Sequence, residues 1–167
     1  AIAGLHENKK IKILGYSEKE ISPSEEIIQF GNIINAQITS DLIGEVLDKM
    51  AAEFEKSDYE FELNTVNINI ANLSIKTNVK NAQIVTSGGT NRISQEDVNK
   101  LLTDAYNAYR VSDGNVVLHC LPRDFSVNDQ KANGALVGKI GNQLSGDFTF
   151  VTSKTENVQH LLECVNQ

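Results

Sequence analysis

The apolar period of this chain changes near residue 56, and that change restricts the fold more than any motif in it. Ile27, Phe30, Ile34, Ile38, Leu42, Val46, Met50 and Phe54 recur at steps of three and four. They form a single helical stripe, which Ile43 and Leu47 widen. From Glu60 the period becomes two. Phe61 and Leu63 alternate with acids, Val66, Ile68 and Ile70 alternate with Asn67 and Asn69, and Leu73, Ile75, Thr77 and Val79 alternate with polar residues. Helix followed by half-buried strands indicates an α+β fold with a mostly antiparallel sheet, not a doubly wound parallel one. The apolar parity slips near Thr65-Val66 and again near Ala71-Asn72. A slip of one residue turns the buried face outward, so the first implies a bulge and the second a turn.

Three serine-led boxes mark helix starts: Ser22 to Glu25, Ser94 to Asp97 and Ser153 to Glu156. In each, the serine oxygen can accept from an unpaired backbone N–H, and an acid three residues on favours the positive helix end. Pro23 suits a first helical position. The expected helices are residues 23–56, broken at Gly31-Asn32 or continuous over about 50 Å, then 95–111 and 154–165. Further strands are expected at 10–14, 82–86, 115–121, 135–140 and 147–152, separated by the glycine-bearing turns SGGT, SDGN, ANGA and LSGD. The expected architecture is one globular domain over residues 1–167, a bulged sheet packed against a long N-terminal helix plus two further helices. A chain of 167 residues can bury such a core unaided.

Charge narrows the partners. Between Ser17 and Glu60 eleven acids face three bases, a net of −8, so the remainder of a chain of net charge −7 carries +1. Without a basic stripe, nucleic acid is not an expected partner. No apolar run reaches the ~18 residues of a membrane-spanning helix. The chain starts at Ala1 without an initiator methionine, which fits either a form processed by signal-peptide removal or a recombinant product, and no signal peptide is visible in it. That observation, with a possible disulfide, tilts the expected setting towards periplasmic or secreted.

Four of the five His and Cys residues lie in the last 50 positions: His119, Cys120, His160 and Cys164. His119 and Cys120 point to opposite faces of a strand, and Cys120 belongs to the more apolar set with Val116 and Leu118. Three readings stay open for Cys120 and Cys164. They form a disulfide, contributing up to about 4 kcal/mol through loop closure; they are buried free thiols; or they join His160 in a zinc site. Only one His/Cys pair has helical spacing and no second pair exists, so no metal is expected. No cofactor fingerprint is present: TSGGTNR lacks the spacing of phosphate-binding glycine loops, and the Asn72 sequon is a short match.

Residues 122–133 read as the longest polar connection. Arg123, Asp124, Asn128, Asp129 and Lys131 there are the candidate binding residues. NGALVGKIGN with FTFV resembles a stretch of calcium-dependent galactose-binding lectins of the small all-β bacterial type. GGTNRISQEDVNKLL resembles the entry into the helical lid of Hsp70 substrate-binding domains. Each spans a small part of the chain, the helices contradict an all-β fold, and neither assigns a residue. The functional expectation is a non-enzymatic binding or assembly module acting through protein contacts or a small ligand held between helix and sheet. Two alternatives are kept: a small enzyme with a site around His119 and the 122–133 connection, and a structural subunit of a homo-oligomer.

Overall fold

A computed structural model describes residues 1–7, 10–22, 25–55, 65–86 and 91–166. The fold is α+β, with three helices and antiparallel strands among the described residues. The chain divides into two compact units: residues 1–73 with 156–167, and residues 74–155. The first is therefore interrupted in sequence by the second.

In the first unit, β1 (Ile2–Glu7) and β2 (Lys10–Tyr16) pair antiparallel with a bulge at Ala3/Gly4. Next comes a short hairpin of β3 (Ile28–Gln29) and β4 (Asn32–Ile33). Its two central residues, Phe30 and Gly31, have φ of 50° and 77°, the backbone that a two-residue I′ turn requires. Helix α1 (Ala36–Phe54) follows, with Asn35 as N-cap: its Oδ1 accepts from the Ile38 N–H at 3.0 Å. Met50 and Phe54 are buried, α1 packs on β2, and an exposed Lys19–Glu45 ion pair of 2.7 Å joins the segment after β2 to the helix.

The expected helix over 23–56 is thus corrected at its front. Ile27, Phe30 and Ile34 continue the helical period, but the Phe30-Gly31 turn wins, and the helix begins where Asn35 caps it. Pro23 and Ser24 lie outside the described residues, as does the expected strand at Phe61–Leu63. Residues 65–72 form no strand. Val66 and Ile68 are 46% and 37% exposed, and alternation without a partner strand makes no ladder.

The second unit holds one four-stranded antiparallel sheet in the order β5-β8-β6-β7: β5 (Lys76–Val85), β6 (Asn115–Val127), β7 (Gln130–Lys131) and β8 (Gln143–Lys154). β8 is central and supplies Leu144, Phe148 and Phe150 to a core completed by Ile84, Ile93, Leu101, Ala105 and Val127. Helix α2 (Gln95–Ala108) covers this face, packing on β5 and β8. Its expected box is present: Ser94 Oγ accepts from the Asp97 N–H at 3.1 Å, and Asp97 Oδ2 accepts from the Ser94 N–H at 2.9 Å. α2 ends at Ala108.

The third box is overridden. Ser153 remains in β8, fully buried, with its Oγ 2.9 Å from Ser74 Oγ, and α3 (Thr155–Val165) starts after the strand has finished pairing. Residues 135–140 form no strand and contribute only the isolated bridge Arg92–Ile140. Within this sheet the bulges lie in β6, at Val117/His119 and Pro122/Asp124, where the extra residues interrupt the alternation.

Candidate functional site

β6 and β7 place the five binding candidates. β6 pairs with β8 through Val127, so Arg123 and Asp124 stand on a strand. This corrects the reading of 122–133 as a polar loop. Pro122 is tolerated because it sits at a bulge on a strand whose other side is paired only at Ser126 and Val127. Arg123 is exposed at the second bulge. Asp124 Oδ1 pairs with Lys131 Nζ at 2.7 Å across the hairpin. Hydrogen bonding by Lys131, then its charge and that of Arg123, hold the Asp124 carboxyl below the ordinary aspartate range.

Asn128 and Asp129 make the turn, with φ of 48° and 64°. Asn128 Oδ1 accepts from the N–H groups of Asn142 and Gln143, each at 3.1 Å, and Asp129 Oδ1 accepts from Gln143 Nε2 at 3.0 Å. Four of the five candidates therefore hold the hairpin together and against β8. Asn128 and Lys131 also line an open cleft of about 530 Å³ with Arg92, Gln130, Lys139 and Ile140. Arg92 Nη1 there donates to Gly138 O at 2.9 Å.

His119 is exposed on β6 and Cys120 is half-buried against the core. Both cysteines are free. Cys164 is buried in the first unit, and its thiol donates to Ala36 O at 3.4 Å. Burial raises both thiol pKa values, and the neighbouring Glu163 charge adds to the rise at Cys164, opposite to what a nucleophilic cysteine needs. Among the described residues no cluster of His, Cys, Asp and Glu has metal-binding geometry, and no helix is long and apolar enough to cross a membrane.

Two grooves flank α2. One, of about 290 Å³, lies between Leu102, Thr103 and Tyr106 of the helix and Cys120 of β6. The other, of about 330 Å³, lies between Ala105 and Ala108 of α2 with Tyr109 and Arg110 just after it, and Lys80, Asn81 and Ala82 of β5. Its floor is Phe150, on which Tyr109 stacks at 3.9 Å and 4°. Sequence reasoning missed this second groove. Its signal was the placement of Lys80 and Arg110 in the less acidic part of the chain.

Comparison with known proteins adds one family and one relative. Residues 73–152 match the family model described as the SHS2 domain inserted in FtsA. Over 156 residues the chain is 22% identical to the cell division protein FtsA of Borreliella burgdorferi, an alignment covering 90% of this chain. The chain spans 38% of that protein's length. The family match coincides with the second compact unit, residues 74–155.

Proposed function

We propose that this chain is the FtsA-like part of a cell division protein, and that residues 74–155 act in it as a non-enzymatic assembly module working through protein contacts. One observation carries the reading: a compact unit interrupts another in sequence, and the interrupting unit is the one matched by a domain described as inserted in FtsA. The alignment with the relative extends beyond that unit, across most of the first. The groups concentrated at the β6–β7 hairpin support contact rather than chemistry, since they are exposed and are paired within the hairpin or with the Asn142-Gln143 segment.

The test is deletion of residues 74–155 in the gene that carries this sequence, with a short Gly-Ser bridge in their place. The ends of the unit lie together, Lys154 N donating to Ser74 Oγ at 3.3 Å, so the bridge spans a small gap. The expected outcome is a stable protein and cells that elongate without dividing. Normal division by cells carrying the deletion overturns the proposal.

A further inference from the structure

β5 is the regular open edge of the four-stranded sheet. Its ten residues pair with β8 without a register shift, Lys76 opposite Thr152 through Val85 opposite Gln143. Among the described residues no strand pairs with its other side. The opposite margin is blunted: β6 has two bulges and Pro122, and β7 covers its end. An open edge presents a row of backbone donors and acceptors, which natural sheets either block or use.

Beside this edge lies the groove floored by Phe150. Small residues make the space, Ala82 on β5 and Ala105 and Ala108 on α2. A strand added to β5 would send alternate side chains towards this groove. Around it the charge is positive. Lys76 and Lys80 stand on the same face of β5 and form no ion pair among the described residues. Among the described residues Arg110 Nη1 donates to Asn107 O, at 2.8 Å, and the guanidinium has further donors to offer. Residues 74–155 carry nine Lys and Arg against seven Asp and Glu, +2 in a chain of −7. A second copy of β5 brings its own lysine row and is disfavoured by like charge.

We propose that the β5 edge and the adjoining α2 groove form a docking site for an extended acidic segment of a partner protein. The segment is added as a fifth strand, with one apolar side chain in the groove and flanking carboxylates on Lys80 and Arg110. The inference rests on the reading of this unit as an interaction module and names the site and the partner's chemistry.

The probe is a blocked, fluorescein-labelled octapeptide of sequence Ser-Glu-Ser-Ile-Ser-Glu-Ser-Glu, whose isoleucine and glutamates share one strand face, titrated into the full chain. Anisotropy reads binding and amide chemical shifts locate it. Saturable binding with shifts confined to β5 and the C-terminal half of α2 is expected. Lys80→Glu with Arg110→Glu weakens it roughly tenfold or more, and added salt weakens it too. Ala108→Trp fills the groove and removes binding, while the far-ultraviolet circular dichroism of the variant stays unchanged because Ala108 is exposed. A lysine-for-glutamate peptide does not bind.

Absence of saturable binding up to about 1 mM, equal binding of the lysine peptide, or indifference to Ala108→Trp overturns the proposal and leaves the lysines as guards against edge pairing. Concentration-dependent broadening of the β5 amides without peptide overturns it in favour of a second copy. The measurement uses the chain alone, so its failure leaves the division phenotype of the deletion untouched.

Discussion

At Gly31 a single hydrogen atom decides whether two segments fit. Its φ is 77°, and a Cβ there would sit 1.7 Å from the carbonyl oxygen of Ala71. Gly31→Ala should therefore cost several kcal/mol, about 3 or more, because backbone and not a side-chain tip must move, and urea unfolding checks it. Its neighbour Phe30 is 77% exposed with φ 50°, an unfavourable conformation for a bulky residue. Phe30→Asn should stabilise by about 1 kcal/mol. Asn128 is the mirror case: it already suits its φ, and its Oδ1 satisfies two backbone donors at 3.1 Å. Asn128→Ala should cost about 2 kcal/mol and Asn128→Gly less, since glycine keeps the turn but loses the acceptor. The Asp124–Lys131 pair is exposed, so its signature is titration. The folded pKa of Asp124 is depressed, so the pair's contribution is present above the ordinary aspartate range and is lost as pH falls through the lower folded value. Carboxyl carbon shifts should show a midpoint below that of a free aspartate, and Lys131→Ala should return it upward.

Whole elements were legible wherever local pattern and tertiary pairing agree. Ser94 and Asp97 predict their capping box, and the helix they start has its apolar residues Leu101 and Ala105 in the core. Ser94→Ala should lower stability by about 1 kcal/mol and Ser94→Gly by a few tenths, a contrast that thermal melts resolve. The same signature failed at Ser153, where continuing β8 between β5 and β6 satisfies more backbone groups than an earlier helix would. The helical stripe failed before α1 because positive φ at Phe30 and Gly31 is invisible to hydrophobic periodicity. The candidate site shows the same division. Asn128 and Asp129 were found as polar residues in a connection, yet their roles follow from the register of β6 on β8, a long-range property. The β5–α2 groove was missed because it is defined by what is small, Ala82, Ala105 and Ala108, and small residues carry no local chemical signal.

At the scale of the molecule, the seams between the two units carry no linker in the sequence. Leu73-Ser74 lies in a turn, and Thr155-Glu156 opens helix α3, which follows β8 directly. An insertion needs its two ends to meet in space rather than to be flexible in sequence. Here Ser74 Oγ lies 2.9 Å from Ser153 Oγ and accepts from Lys154 N. Charge follows the same division: six bases and fifteen acids in residues 1–73 and 156–167, a net of −9, against +2 in the inserted unit. The core cluster of Ile84, Ile93, Leu101, Ala105, Val127, Leu144, Phe148 and Phe150 lies wholly inside residues 74–155. A segment with its own sheet, its own capped helix, a closed core and adjacent ends meets the physical requirements for folding alone. Residues 74–155 expressed by themselves should therefore unfold cooperatively and give dispersed amide resonances. Phe150→Ala should abolish that state, since the deleted ring stacks on Tyr109 at 3.9 Å and its loss costs about 3–5 kcal/mol, much of what a domain this small can have. If the excised segment were unfolded while the full chain is folded, residues outside it would have to supply part of its core, and the insertion reading would lose its basis.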